Sequence, residues 1–389
     1  SSQARVVPSR FLFAVNMQAS AFGCAVKASS AACRRVGSAR LAARGAHRNI
    51  TVGSALPTDD LDFSYKQTKS HIRYTHKNGK WDQGELVESP YISLHINSNV
   101  LHYGQALFEG LKSFHGADGK VRVLNPLANA RRLNYGAKRL RMPDVPEHLF
   151  VEALDRVIAD NVDYIPPFGK SQTLYLRPNL IGHGPQIGLA PAPEYSFIVS
   201  VHPVGNYYKN GLVPAKGKII TDYDRAARNG TGDVKAAGNY AADMYPAALA
   251  YEEGYSLGLY LDAEQKHLEE FGTSNFVGIA KDGSYVTPDS QSVLASITNQ
   301  MMMDLARDAG LKVERRRISV DELDTMQSAG GCGTAVVFQP LKSLTFKDKV
   351  FEFDDAKHKI LTDLAKDVTR IGFGEKEDVH GWTHEVPLA

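Results

Sequence analysis

The sequence predicts an α+β protein built as two domains. Three observations carry this reading. Short apolar runs alternate with turn dipeptides over 64–125. Two stretches of helical periodicity follow between 126 and 164. A stretch rich in Gly, Asn and Pro, GNYYKNGLVP at 205–214, then precedes a second series of strands and helices. A length of 389 residues suits two domains, or one large one, at about 150 residues per domain. The expected division is 1–58 as a leading segment, 59–204 as a first domain, 205–214 as the link and 215–389 as a second domain.

In chain order, Asn78-Gly79 and Asp118-Gly119 read as tight turns between strands. A helix is expected after Pro126, with Leu127, Ala130, Leu133, Ala137 and Leu140 on one face. A second runs from Glu147 to about Tyr164, with Phe150, Leu154, Val157 and Ile158 inward, and Pro166-Pro167 stops it. TLYLRPNLIG (173–182) and YSFIVSVHPV (195–204) read as strands, so the first half is mostly antiparallel. Beyond the link, strands are expected near 217–221, 256–262 and 275–280. Helices are expected near 239–253, 297–309 and 357–371, the last stopping at Gly372.

The overall charge, 45 Lys+Arg against 43 Asp+Glu, conceals two unlike segments. No Asp or Glu precedes Asp59, whereas eight Lys or Arg do; the remainder holds 37 basic and 43 acidic residues. An acid-free segment rich in Ser, Ala and Arg has the composition of an organelle transit peptide, for a plastid or alternatively a mitochondrion. The bland alternative is a basic tail that binds RNA or membrane. No apolar run reaches the roughly 18 residues that would span a bilayer. Cys24 and Cys33 lie in the leading segment, so the body keeps only Cys332 and cannot form a disulfide within one chain.

Several familiar motifs are missing: there is no GxxxxGK[ST] loop, no HExxH and no CxxC pair, and the histidines show no metal-ligand spacing. Arg315-Arg316-Arg317 reads as a solvated strand edge. Four other stretches carry chemistry in combination. NGTGDVKAAGNYAAD (229–243) sets Lys235 among small residues with Tyr240 five positions on, and a lysine of lowered pKa there could form a Schiff base with an aldehyde. LEEFGTSNFVGI (268–279) places two carboxylates before a turn, where one could keep a pyridine ring protonated. In SVLASITNQMMMDLARDAG (292–310), Ser296 looks like an N-cap, above Met301, Met302 and Leu305, and the helix start could hold a phosphate. AGGCGTAVVF (329–338) is a glycine-rich turn that a ligand could approach.

In this order and spacing, the four stretches resemble the class IV pyridoxal-phosphate aminotransferases. LHYGQALFEGLKSF (101–114), NARRL (129–133), LYLRPNLIG (174–182) and PVGNYY (203–208) narrow the resemblance to the branched-chain amino acid aminotransferases, from about residue 60 to near the last residues. It implies a two-domain, fold-type IV enzyme like the D-amino acid aminotransferases, with a small α/β domain and a larger barrel-like one. It implies reversible transfer of an amino group from L-leucine, L-isoleucine or L-valine to 2-oxoglutarate, by a ping-pong mechanism on pyridoxal 5′-phosphate. The implied assembly is a homodimer with shared active sites, acting on small amino acids and 2-oxo acids, without nucleic acid, membrane or metal.

Residue by residue, the resemblance makes Lys235 the catalytic lysine. Glu270 is matched to the carboxylate at the pyridine nitrogen, with Glu269 its solvated neighbour, and Tyr240 to the phenol at O3′. Arg132, Ile297, Thr298 and Thr334 are matched to the phosphate, and Thr273 also to the cofactor. Phe108, Tyr175 and Tyr207 match the substrate wall, Arg177 the γ-carboxylate site, and Thr334 and Ala335 the turn that meets the α-carboxylate. Tyr103 and Leu189 match residues donated by a partner subunit. The chain departs from the family pattern where the helix opening usually has Pro and Arg: it has Ala295 and Asn299. Val277 stands where an aromatic is common, and no CxxC pair falls at Val336 and Gln339. A class IV enzyme acting on D-amino acids or aminodeoxychorismate, and a catalytically silent relative, are the competing readings.

Overall fold

The computed structural model describes residues 53, 61–205 and 213–388. Its first half is a twisted antiparallel sheet backed on one face by helices. The elements run β1 (His71–Lys77), β2 (Lys80–Trp81), β3 (Glu85–Val87), α1 (Asn99–Tyr103), β4 (Ala106–Phe108), β5 (Leu111–His115), β6 (Val121–Leu124), α2 (Pro126–Arg139), α3 (Glu147–Asp160), β7 (Thr173–His183) and β8 (Glu194–Val204). β1 and β2 join through Asn78 and Gly79, both at positive φ (53° and 76°), as the sequence pair demands. β7 is the spine, pairing β8 along its whole length and β4 and β5 on its other side. Pro178 has no N–H to donate toward β4 and β5 and lies opposite the break between them; Glu109 still donates to its carbonyl at 2.8 Å.

Alternation along β7 sorts its side chains. Leu174, Leu176 and Leu180 enter a core with Leu133 of α2 and Phe150, Leu154, Val157 and Ile158 of α3. Thr173, Tyr175 and Arg177 therefore share the opposite face. The α2 stripe differs from expectation at its start. Leu127 is exposed, and Pro126 and Asn129 are buried in its place, because the stripe is set by what packs beneath the helix and not by spacing alone.

The second half contains β9 (Ala215–Ile220), α4 (Ala237–Glu252), β10 (Leu257–Leu261), β11 (Leu268–Phe271), β12 (Asn275–Ile279), β13 (Tyr285–Pro288), α5 (Ile297–Asp308), β14 (Val313–Arg316), β15 (Ser328–Cys332), β16 (Phe338–Phe346), β17 (Lys349–Glu352) and α6 (Lys359–Gly372). Six strands close a ring in the order β11, β10, β9, β16, β15, β12, which then pairs back to β11; β13 and β14 extend from β12. Alternation again divides the strands: Phe276 packs in one core cluster with Leu259 and Leu341, while Val277 and Ile279 pack in another with α5 and α6. α6 ends at Gly372, as expected, though that residue is not the left-handed stop the sequence suggested. That glycine is the last helical residue, where a Cβ would press on the Phe114 ring, and the left-handed glycine lies two residues on, at Gly374 (φ 71°). Finally β18 (Thr383–Glu385) returns to the first sheet, pairs with β6, and is followed by buried Val386.

One buried side chain ties β1 to α3. Asn161, fully buried, accepts from the Lys69 and Ser70 amides (2.9 and 3.2 Å) and donates to the carbonyls of Ser70 and Val157 (3.1 and 2.7 Å). Asn161→Ala should lower the unfolding free energy by about 2–3 kcal/mol, since it strands buried backbone groups. Urea unfolding checks this; a loss under about 0.5 kcal/mol would refute the account.

Candidate active site

The segment between β9 and α4 delivers Lys235. Its last residues lie against β4: Ala236 bridges Leu107, and the Phe108 N–H donates to the Lys235 carbonyl at 3.2 Å. Val234 and Ala236 are buried in the first-half core, so the extended backbone turns Lys235 between them to the other side. There its amine donates to the Tyr240 hydroxyl at 2.9 Å and stands 4.7 Å from the centre of the Phe108 ring. Tyr240 sits in the first turn of α4 and packs edge-on against Phe108. Burial, reinforced by the Arg132 charge, pulls the Lys235 amine down to about 7. Burial and the nearby Glu270 push the Tyr240 phenol well above its ordinary range.

Arg132 projects from α2 into a buried pair with Glu109, which is fully enclosed. Its Nε and Nη2 donate to the two carboxylate oxygens at 2.8 and 2.6 Å, and its Nη1 donates to the Ala295 carbonyl at 3.0 Å. Asn129, one turn back, also donates to Glu109, at 2.8 Å. The Ala295 contact brings the guanidinium to the entrance of α5, where Ser296 caps the helix by accepting from the Asn299 amide. Ile297 and Thr298 are the first two helical residues, whose N–H groups have no intrahelical acceptor.

Glu270 is buried on β11. It accepts from the Leu294 amide at 2.8 Å and from the Asn275 side chain at 3.0 Å, and it pairs with buried Arg225 at 2.8 Å. Burial pushes its carboxyl up to about 7 against the pull of Arg225. Glu269 is not solvated as the sequence suggested. It is buried beneath the 289–292 loop and accepts from Ser290 at 2.6 Å, because that loop folds over β11, a strand of the closed ring. Asn299 replaces the expected arginine without leaving a gap. Its side chain donates to Asn275 (3.1 Å) and Thr287 (2.9 Å) and accepts from Tyr285 (2.7 Å).

Tyr175 and Arg177 face the site from β7. The guanidinium lies over the Phe108 and Tyr175 rings (4.9 and 5.2 Å), and its buried Nε has no partner among the described residues. Gly110 is bare of necessity, since a Cβ there would fall 2.2 Å from the Tyr175 hydroxyl. Thr334 and Ala335, on the turn after β15, line a cavity of about 700 Å³ together with Gly110, Ile297 and Thr298; Lys235 does not line it. The glycines before that turn, Gly330 and Gly331, belong to a buried strand and not to the turn itself. Tyr103, the last residue of α1, is 41 % exposed, Leu189 in the loop after β7 is 85 % exposed, and Thr273 is exposed on the turn between β11 and β12. Tyr207 lies outside the described residues.

The model of the amino-transferase class IV family matches residues 106–344. A branched-chain-amino-acid aminotransferase of Helicobacter pylori is 43% identical over 330 residues, covering 84% of this chain and 97% of its own. The chain belongs to this family. Another relative, branched-chain-amino-acid aminotransferase 5, chloroplastic, of Arabidopsis thaliana, is 38% identical over 86% of this chain and 81% of its own. The branched-chain amino acid aminotransferase from Thermobaculum terrenum in PLP-form shares the fold at a TM-score of 0.67 and 21% identity, over 83% of this chain and all of that one. That of Thermoproteus uzoniensis with norvaline does so at 0.67 and 23%, over 82% of this chain and all of its own. This class IV aminotransferase is therefore an enzyme, a transaminase for branched-chain amino acids.

The aminotransferase site contains residues that the sequence reading passed over, Glu109, Arg225 and Asn275, and one, Asn299, that it named only as a departure without giving it a role. Two left a readable trace. Glu109 is a lone carboxylate in the apolar run ALFEGL, and Arg225 stands ten positions before the lysine. A lysine amine drawn down to about 7 is mostly neutral at pH 8, when exposed lysines are still protonated. Competitive labelling of the cofactor-free protein with limiting acetic anhydride should therefore show Lys235 reacting with a midpoint within about one unit of pH 7. A midpoint above about pH 9.5 would contradict this electrostatic account.

Proposed function

We propose that this aminotransferase moves the amino group of L-leucine, L-isoleucine or L-valine to 2-oxoglutarate by a ping-pong mechanism on pyridoxal 5′-phosphate. The observation that carries the reading is the Lys235 amine: drawn down to about 7, bonded to Tyr240, and influenced by Arg132 at one end and Glu270 at the other. The donor set fits the cofactor. A guanidinium beside a helix N-terminus suits a dianionic phosphate, and a buried carboxyl backed by Arg225 suits a ring nitrogen. When bound, pyridoxal phosphate supplies an aldehyde for the amino group and an electron sink for charge at Cα.

The remaining chemistry falls to side chains. Lys235 carries the proton from Cα and returns it, and a neutral amine near pH 7 is matched to that exchange. Tyr240 holds the amine in place through its hydroxyl. Arg132, the Ile297 and Thr298 amides and the Thr334 hydroxyl hold the phosphate, with Thr273 flanking the cofactor from the 272–274 turn. Glu270 keeps a proton at the ring nitrogen. Phe108, Tyr175 and Tyr207 enclose an apolar side chain, and Arg177 receives the γ-carboxylate through its unpartnered Nε. The Thr334–Ala335 turn meets the α-carboxylate.

We assign the assembly to a homodimer in which Tyr103 and Leu189 close the partner's site. Met244, Tyr245 and Tyr251 on α4 are 62–77 % exposed, and Ile187 and Tyr91 are more exposed still, apolar side chains that a partner subunit would cover. The basic, acid-free leading segment and the chloroplastic names of the Arabidopsis relatives support a plastid address.

Steady-state assays with cofactor should give activity on L-leucine, L-isoleucine and L-valine with 2-oxoglutarate and none on D-alanine; the reverse preference would refute the reading. Lys235→Ala should lower kcat by at least about 10³-fold and abolish the borohydride-reducible yellow chromophore. Light scattering should give twice the chain mass of 42.6 kDa, and a monomer that is fully active would refute the shared site.

A further inference from the structure

Lys112 stands on β5 directly opposite Tyr175 of β7. Facing residues of an antiparallel pair share a face and lie about 5 Å apart at Cβ, so Lys112 joins Tyr175 and Arg177 on the side turned from the helices. Its half-buried ammonium reaches across the molecule to the Ala335 carbonyl, to which it donates at 2.9 Å, and it lines the cavity with Gly110, Thr334 and Ala335. That carbonyl is neutral, and no carboxylate pairs with Lys112 among the described residues. An ammonium has three donors, so this contact leaves donors to spare beside the turn. Burial draws the amine down only to about 8, so at neutral pH it remains mostly charged.

A half-buried cation without a counter-ion favours an anion in the adjoining cavity. The two substrates of a transaminase differ at the far end, apolar in one and carboxylate in the other, and share a carboxylate next to the reacting carbon. A fixed cation suits the shared group. We infer that Lys112 determines specificity for the α-carboxylate: it pins the Thr334–Ala335 turn through the Ala335 carbonyl and supplies the charge that draws the carboxylate to that turn. This rests on the transaminase reading given under the proposed function.

The test compares the full chain, loaded with cofactor, as wild type, Lys112→Met and Lys112→Arg. Equilibrium binding is measured for 4-methylvalerate and for its neutral amide, 4-methylvaleramide. Wild type should prefer the acid. Lys112→Met should weaken acid binding by about tenfold or more while leaving the amide within about twofold, and Lys112→Arg should restore most of the preference. KM for L-leucine and for the 2-oxo acid should rise together, with a smaller fall in kcat. Equal loss of acid and amide would reduce Lys112 to a structural prop, and an unchanged acid affinity would remove it from recognition; either overturns the inference. A wild type that binds the acid selectively but fails to transaminate would refute the proposed function and not the role of Lys112.

Discussion

The structure turns on an imbalance of charge under low solvent access. The Lys235 amine feels Arg132 and Arg177 against Glu109 and Glu270, and each carboxylate is already committed to a guanidinium, Glu109 to Arg132 and Glu270 to Arg225. Such pairs are held at the expense of desolvation, and removing one member of a buried pair is far more disruptive than never having built it. The surplus of positive charge has two effects. It reinforces burial, the larger cause, in making the lysine give up its proton readily, and it makes the pocket a place where an anionic ligand is welcome. Both properties follow from the same few residues, so tuning one without the other is hard.

The stretch 294–299 transmits order between otherwise separate parts. The Leu294 amide meets Glu270, the Ala295 carbonyl meets Arg132, Ser296 caps α5, and the Asn299 side chain locks onto the Asn275 that supports Glu270. A shift of this loop would move the carboxyl and the guanidinium together. Asn299 compensates for the missing family arginine by a different route. Its short amide satisfies hydrogen-bonding groups on β12 and β13 within the buried layer, where a longer cation would need a counter-ion.

Much of this was legible from residue order. Period-two patterning found β7 and β8 nearly to the residue, and Ser296 announced the α5 start. Lys235, Tyr240, Arg132 and Glu270 could be singled out because their motifs are rare in combination. Less legible were residues whose surroundings are made only by tertiary contact. Glu269 looked like any exposed glutamate at a hairpin end, and only the closure of the six-strand ring buries it. Leu127 satisfied helical spacing yet faces water. Arg225 and Glu109 act through partners distant in sequence, and no local pattern records a partner's position.

The return of β18 to the first sheet closes an edge that would otherwise be open. Its pairing with β6 and the burial of Val386 mean that the sheet carrying Phe108, Tyr175 and Arg177 takes one edge from a strand far along the chain, beyond the whole closed ring. Without that strand the β6 edge would present unpaired backbone groups, a template for pairing with another chain. The sheet that carries the catalytic face therefore depends on chain from both ends of the described body.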